Sequence, residues 1–168
     1  VEQTKNEMPH WLLKRASLTP DRLALVAEDE TWTFRELNER AQQTAKHFMQ
    51  MGLQAGDHVA LLAHNGSHTV TLIHALSYVG AVLIPLNIRL TTDELTWQVE
   101  DAAASWLIGD EAHAGKARTI AKKRPRTQVV IWPDTLSLQP DETRFALNST
   151  ISLADRQAIM YTSGTTGK

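Results

Sequence analysis

Residues 56–85 read GDHVALLAHNGSHTVTLIHALSYVGAVLIP, and this stretch decides the fold. Its first apolar run, His58–Ala63, has the length and composition of a buried strand. A turn follows, and Ser67 is a candidate N-cap for the helix that comes next. Gly80 is placed to end that helix, because glycine readily adopts the left-handed conformation of a C-cap. Ala81–Ile84 is a second strand, so the stretch predicts a strand–helix–strand unit with parallel strands.

The rest of the chain continues this alternation of apolar strands and amphipathic helices. Thr33 and Glu36 form a capping box, in which each side chain satisfies one free backbone N–H. Residues 133–148 are polar and show no helical or strand periodicity of apolar residues, so we predict a loop there. The other predicted elements are helices over 8–15, 33–51, 92–101 and 111–123, and strands over 23–27, 31–33, 106–108, 128–132 and 158–161. The pattern predicts an α/β fold, a mostly parallel sheet flanked by helices, with ligands at the carboxyl ends of the strands.

Composition limits the classes of function. The 168 residues suffice for one domain with a core, and the net charge of −2 argues against nucleic-acid binding, which usually brings a basic excess. The absence of cysteine excludes a disulfide framework, a thiolate nucleophile and a cysteine-based zinc site. The most apolar region, 70–86, is interrupted by His74, Gly80 and Pro85, so we expect no membrane span. We expect a cytoplasmic protein, because a chain without cysteine is compatible with a reducing compartment.

Residues 158–168 read AIMYTSGTTGK, an apolar start followed by glycines and hydroxyl side chains. The glycines free the backbone, so consecutive N–H groups can turn toward one point. Hydroxyl donors and the ammonium group of Lys168 complete a set that suits phosphate. The spacing differs from a Walker A loop and from G-x-G-x-x-G, and Tyr161 stands where a nucleophile elbow needs glycine. The structural alternative is a polar surface turn after a strand.

The motif Tyr161–Lys168 resembles the opening of the phosphate-binding loop of adenylate-forming enzymes. This superfamily contains acyl-CoA synthetases, luciferases and the adenylation domains of peptide synthetases. The resemblance covers residues 8–132 and 153–168, and it includes the stretches 32–41 and 80–90. The loop motif is specific, because a chance match of eight residues after a strand is unlikely.

The resemblance implies an acid–thiol ligase that activates a carboxylic acid with ATP and Mg²⁺, releases pyrophosphate and transfers the acyl group to coenzyme A. Residues 1–168 would be the amino-terminal part of the large AMP-binding domain of a longer chain, and we expect this part alone to be inactive. Residues 11–16 and 18–26 are most similar to the branch of o-succinylbenzoate–CoA ligases of menaquinone biosynthesis. The expected partners are a small carboxylic acid, ATP and coenzyme A, and a homo-oligomer is left open.

The resemblance also assigns roles within the loop. Hydroxyl and backbone N–H groups would bind the β- and γ-phosphates, the glycines would allow close approach, and Mg²⁺ would share the charge. The implied cofactor-binding residues are Thr162, Ser163, Gly164, Thr165, Thr166, Gly167 and Lys168. No catalytic residue is assigned to this chain. Three alternatives stay open: a ligase for a fatty or another aromatic acid, a non-catalytic phosphate-binding module, and a structural domain with a vestigial loop.

Histidines and basic residues suggest two further sites, and we prefer a structural interpretation of both. His64 and His68 are four residues apart with His74 further on, but a turn separates the pair and no neighbouring carboxylate completes a metal site. We therefore predict no metal ligands and expect surface or half-buried histidines. The basic cluster 122–126 falls at a predicted helix end, where cations complement the helix dipole.

Overall fold

The structure, a computed structural model, describes residues 6–27, 30–132 and 145–162. The chain divides into two compact units, which we call the helical unit and the sheet unit. The helical unit comprises residues 1–56, 65–81 and 135–157, and the sheet unit comprises residues 57–64, 82–134 and 158–168. Among the described residues, no helix combines the length and the apolar character that crossing a bilayer requires.

The elements follow one another in the predicted alternation of strands and helices. In chain order they are β1 (Glu7–Pro9), α1 (Trp11–Leu18), β2 (Leu23–Ala27), β3 (Glu30–Thr33), α2 (Phe34–Gln50), β4 (His58–Leu62), α3 (Ser67–Val79), β5 (Val82–Pro85), α4 (Thr92–Asp101), β6 (Trp106–Asp110), α5 (Ala114–Lys123), β7 (Gln128–Trp132) and β8 (Thr150–Ser152). One turn of 3-10 helix, Glu111–His113, joins β6 to α5. The predicted α/β class is confirmed.

The sheet unit is built on four parallel strands in the order β5-β4-β6-β7. β4 is an inner strand, and its residues Val59–Leu62 are all buried, as is typical of parallel sheets. Alternate residues of β4, Ala60 and Leu62, belong to one apolar cluster with Ile84 of β5 and Leu107 of β6. The apolar faces of α4 and α5 complete this cluster. The predicted mostly parallel sheet is therefore confirmed.

The strand order creates a reversal between β4 and β6. The chain moves from β4 to β5 on one side, and it then returns to β6 on the other side and continues outward to β7. In open parallel sheets, ligands bind outside the carboxyl ends of the strands at this kind of reversal. The carboxyl ends of β4 and β6 thus mark the position at which the topology predicts a ligand.

Capping boxes begin two of the helices. At α2, the N–H of Thr33 donates to the carboxylate of Glu36 at 2.7 Å, and the N–H of Glu36 donates to the hydroxyl of Thr33 at 3.3 Å. This box confirms the sequence prediction. A second box begins α4, where Thr91 and Glu94 make the same two contacts at 2.8 and 3.3 Å. The two boxes fix where α2 and α4 start.

The basic cluster 122–126 has a structural role at the end of α5. Lys123 pairs with Asp93 of α4, and Arg124 donates to the carboxylate of Glu100, also on α4, at 2.6 Å. Both pairs are exposed and screened by solvent, so neither contributes much to stability. The contacts link the end of α5 to α4, and they support the interpretation of the cluster as a helix end.

Two predictions about helix starts are wrong. The helix expected over 8–15 begins at Trp11. Met8 precedes Pro9, whose ring disfavours helical backbone in the residue before it, so the chain is extended there and forms β1. β1 pairs antiparallel with β8, a partner too distant in sequence for a local pattern to indicate. Ser67 is the first residue of α3 and not its N-cap.

Gly80 ends α3 as predicted, with a φ of +82°. A Cβ at this position would lie 2.7 Å from Nδ2 of Asn148. We expect Gly80→Ala to lower the free energy of unfolding by about 1–2 kcal/mol, because a side chain strains the left-handed conformation. The matched control is Gly115→Ala on α5, where a Cβ meets nothing within 4 Å. It should be neutral or stabilising by up to about 1 kcal/mol. Equal losses of stability in urea titrations of both variants would contradict this account.

His10 is a buried histidine in the helical unit. Its ring stacks on Tyr78, with centroids 3.7 Å apart and planes inclined by 8°. It is 1% exposed, and neither ring nitrogen has a hydrogen-bond partner among the described residues. Burial, together with the nearby His74, lowers the pKa of His10 to about 4. The ring is therefore neutral at pH 7.

We expect mild acid to destabilise the protein through His10. The unfolded chain takes up a proton near pH 6.5, whereas the folded chain takes it up only near pH 4. Stability is thus intact above pH 6.5 and declines as the pH falls toward 4, by about 3 kcal/mol for this group. His10→Phe preserves the stacking and should flatten this part of a plot of urea midpoint against pH. The exposed His68→Phe should leave the slope intact, and an unchanged slope in the His10 variant would rule the explanation out.

Candidate functional site at the carboxyl edge of the sheet

The chain approaches the predicted phosphate loop alongside β5. Ala158 forms a parallel bridge with Leu83, and the N–H of Ile159 donates to the carbonyl oxygen of Leu83 at 2.9 Å. The strand predicted over 158–161 is reduced to this single bridge. Because the bridge is parallel, it directs the following residues toward the carboxyl end of β5, the side on which ligands are expected.

Tyr161 anchors the residue before the loop to α4. Its hydroxyl donates to Oδ2 of Asp101 at 2.7 Å and contacts the carbonyl oxygen of Gln98 at 3.2 Å. Its ring meets Trp97 edge to face, with centroids 5.8 Å apart. Burial, and then the adjacent carboxylate of Asp101, raise the pKa of Tyr161 to about 12. The phenol therefore stays protonated at neutral pH and acts as a hydrogen-bond donor.

Thr162 is the only predicted phosphate-binding residue among those that the structure describes. It is exposed and follows Tyr161 directly, so the anchored tyrosine sets where the loop begins. The other predicted residues lie outside the described part of the chain; they are Ser163, Gly164, Thr165, Thr166, Gly167 and Lys168. Their contact with phosphate stays a prediction.

A second polar group lies at the carboxyl ends of β4 and β6. His64 follows β4, Asp110 is the last residue of β6, and His113 ends the 3-10 turn. Oδ2 of Asp110 lies 2.9 Å from Nδ1 of His64, and Oδ1 lies 2.5 Å from Nδ1 of His113. The two imidazole centroids are 4.6 Å apart. We call these three residues the His–Asp–His cluster.

The carboxylate of Asp110 also accepts hydrogen bonds from backbone N–H groups in this cluster. It accepts the N–H of His64 at 2.8 Å and the N–H of His113 at 2.9 Å, the latter as the N-cap of the 3-10 turn. Burial alone would raise the pKa of Asp110, but the hydrogen bonds from the two histidines outweigh it and hold the pKa below its usual value. Asp110 is therefore ionised at neutral pH.

Sequence reasoning missed this cluster. The sequence offers no carboxylate near His64, but Asp110 lies beside it from the neighbouring strand. The two residues are far apart in sequence and meet only because β4 and β6 pair. A usable signal existed in the sequence, since each residue follows or ends an apolar run predicted as a strand.

The loop after β5 is held by structural contacts. The side-chain oxygen of Asn87 accepts the N–H of Arg89 at 3.0 Å. Lys116 of α5 donates to the carbonyl oxygens of Ile88 and Leu90 at 2.8 and 2.9 Å. These contacts shape the connection from β5 to α4, so Asn87 serves to anchor the loop.

Comparison with known proteins decides the family. The family model of the AMP-binding enzyme matches residues 12–168, nearly the whole chain. The chain belongs to the AMP-binding enzyme family. The resemblance noted in the sequence, including the loop motif at 161–168, is thereby confirmed at the level of the family.

Relatives within the AMP-binding family carry a consistent name. A 2-succinylbenzoate–CoA ligase of Bacillus cereus is 39% identical over 161 residues, which are 96% of this chain and 31% of that protein. Another from Bacillus anthracis is 38% identical over the same share of both chains. The chain thus spans about a third of the length of the curated relatives that it matches.

Solved structures of the AMP-binding family show the same fold. O-succinylbenzoate coenzyme A synthetase (MenE) from Bacillus subtilis in complex with AMP matches with a TM-score of 0.85 and 31% identity, over 96% of this chain and 41% of that chain. The same enzyme with ATP and a magnesium ion gives a TM-score of 0.82 at 29% identity, over 94% and 41%. The inhibitor-bound N-terminal domain of FACL13 from Mycobacterium tuberculosis gives 0.80 at 29% identity, over 95% and 42%.

We expect the Tyr161–Asp101 contact to contribute measurably to stability. Tyr161→Phe removes the hydroxyl donor while retaining the packing on Trp97, and Asp101→Ala removes the carboxylate acceptor. Each single change should lower the free energy of unfolding by about 1 kcal/mol, with a coupling energy of about 1 kcal/mol in the double-mutant cycle. Urea titration of the wild type and three variants measures this coupling. Additive effects would show that the hydroxyl does not anchor the segment.

Proposed function

We propose that this chain is the amino-terminal part of an ATP-dependent acid–CoA ligase, and that the acid is 2-succinylbenzoate. In the reaction, a carboxylate oxygen of the acid attacks the α-phosphorus of ATP, pyrophosphate leaves and an acyl-adenylate forms. The thiol of coenzyme A then attacks the acyl carbon, the thioester forms and AMP leaves with the carboxylate oxygen. Residues 1–168 supply the scaffold and the start of the phosphate loop in this proposal.

The family match carries the proposal. It runs through residues 161–168, whose hydroxyls, glycines and lysine suit a polyphosphate. The described segment before the loop supports the same assignment, because the bridge at Ala158 directs the chain along β5 toward its carboxyl end. MenE, the similar enzyme from Bacillus subtilis, has been solved with ATP and a magnesium ion.

The loop residues act on the phosphates by binding and orientation. Thr162, Ser163, Thr165 and Thr166 donate hydrogen bonds from hydroxyl and backbone groups to the β- and γ-phosphates. Donors fixed in advance stabilise the negative charge that moves onto pyrophosphate as it leaves. Gly164 and Gly167 allow the backbone to approach closely, and Lys168 adds a positive charge.

Mg²⁺ in this proposal binds through the phosphates. Among the described residues, the group of side chains close enough to bind a metal ion is the His–Asp–His cluster. Its two imidazoles suit Mg²⁺ poorly, because that ion prefers oxygen ligands. The oxygens of ATP supply such ligands, and the ion, when bound, offsets the charge of the triphosphate.

The choice of acid rests on the named relatives. Several curated proteins at 37–41% identity are named 2-succinylbenzoate–CoA ligase. A fatty acid is the second candidate, because the FACL13 N-terminal domain and a fatty acyl CoA synthetase of Mycobacterium tuberculosis also match, at TM-scores of 0.80 and 0.79. Both candidates share the adenylation step and differ in the acid.

The test is acid-dependent exchange of pyrophosphate into ATP by the full-length protein that carries this chain. We expect exchange with 2-succinylbenzoate and little with benzoates or fatty acids. Formation of the CoA thioester should follow when coenzyme A is added. Exchange with fatty acids alone would show that the acid is a fatty acid, and the proposed adenylation reaction would stand. A complete lack of exchange with all three classes would contradict the ligase assignment.

We expect the loop threonines to contribute to adenylation. The double variant Thr165→Ala, Thr166→Ala in the full-length protein should bind MgATP more weakly and lower the exchange rate by about 100-fold, because hydroxyl donors to the phosphates are lost. The control is Thr119→Ala, since Thr119 is exposed on α5 and, among the described residues, its hydroxyl donates to the carbonyl oxygen of Gly115 in the same helix. Unchanged ATP affinity and exchange rate in the loop variant would rule out the assigned role.

A further inference from the structure

We propose that His64, Asp110 and His113 form a binding site for a divalent transition-metal ion, with Zn²⁺ the best match. The site contains none of the predicted phosphate-binding residues, and it does not depend on the proposed ligase reaction. Its ligands are one imidazole nitrogen from each histidine and a carboxylate oxygen of Asp110. A solvent molecule takes the fourth position in the tetrahedral geometry that Zn²⁺ prefers.

The distances in the cluster are close to those of a zinc site. The three candidate ligand atoms all lie within 4.8 Å of one another. In a tetrahedral zinc site with bonds of about 2.0–2.2 Å, neighbouring ligand atoms are about 3.4 Å apart. His64 Nδ1 contacts Oδ2 of Asp110 at 2.9 Å and His113 Nδ1 contacts Oδ1 at 2.5 Å, so whichever oxygen binds the ion must move away from its contacting nitrogen by under about 1 Å. Small side-chain rotations suffice for this change.

Local folding alone does not explain both imidazoles. Asp110 caps the 3-10 turn and fixes the start of the chain after β4 through two backbone N–H groups. Those contacts need only the carboxylate, and any residue other than proline at 64 or 113 supplies the same N–H. The side chains of His64 and His113 nevertheless face this carboxylate from two different elements. Two imidazoles around one carboxylate form a donor set that suits zinc.

The position in the fold favours a ligand site. The cluster lies at the carboxyl ends of β4 and β6, at the reversal of the strand order, where parallel sheets bind ligands. The side chain of His64 is 59% exposed, while those of Asp110 and His113 are 22% and 11% exposed. An ion can thus enter from solvent at His64 and reach two ligands that packing already holds in place.

The ligand types also decide which ion binds. Imidazole nitrogen favours Zn²⁺, Co²⁺ and Ni²⁺, whereas Mg²⁺ and Ca²⁺ prefer oxygen. Co²⁺ reports tetrahedral coordination through its visible absorption, so it serves as the spectroscopic probe. Excess Mg²⁺ should not compete for the site, which distinguishes it from any ion that accompanies ATP.

The experiment titrates the full-length protein with ZnCl₂ and CoCl₂ in the absence of nucleotide. We expect one ion per chain at this site with a dissociation constant of about 1 µM or below, a tetrahedral Co²⁺ spectrum and a higher melting temperature with Zn²⁺. His64→Asn and Asp110→Asn should each weaken binding by at least about 100-fold. Asparagine at 110 can still cap the turn, so the fold should survive this change.

The matched control is His68→Asn, which removes an exposed histidine four residues from His64. The affinity of the His68→Asn variant for Zn²⁺ should equal that of the wild type. If it weakens binding as much as His64→Asn does, the ion lies at another histidine pair and the proposal is wrong. Wild-type binding weaker than about 0.1 mM, or equal affinity in all variants, would also overturn it.

Discussion

The parallel pairing of β4 with β5 and β6 is the contact on which the sheet unit depends. Successive residues of β4 pair with both neighbours, from Val59 opposite Leu83 and Trp106 onward. The strand is buried, so its backbone groups must bond to other strands. Parallel pairing brings the carboxyl ends of the strands to one edge. The residues that can bind ligands follow those ends. The His–Asp–His cluster lies after β4 and β6, and the chain that leads to the phosphate loop runs beside β5.

Local signals in the sequence predicted the elements well. The apolar runs, the capping box at Thr33 and the left-handed glycine at Gly80 all act over a few residues, and the structure has them where the sequence indicates. Prediction failed where a distant partner decides the conformation. β1 forms because Met8 precedes Pro9 and because β8 pairs with it, and only the first of these causes is visible locally. The start of α3 shows a smaller, local error of one residue, because its N-cap is Gly66 and not Ser67.

The candidate site also has a part that local sequence predicts and a part that depends on distant contacts. The loop motif at 161–168 is contiguous, so its family could be recognised from the sequence and is confirmed by the family match. The anchoring of Tyr161 to Asp101 and the meeting of His64 with Asp110 depend on how strands and helices pack. No spacing rule links such residues. The identity of the acid is a proposal, because specificity depends on the side chains that contact the acid, whereas the described residues build a scaffold.

The central claim is that ligands bind at the carboxyl edge of this sheet. Hydrogen–deuterium exchange of the full-length protein, with and without MgATP, tests it most directly. With MgATP we predict slower exchange in peptides that cover 158–168, and with ZnCl₂ in its place we predict it in those that follow β4 and β6, near residues 63–66 and 110–113. Peptides that precede the same strands, near 54–57 and 102–105, should exchange at unchanged rates. Protection confined to these preceding segments would contradict the account.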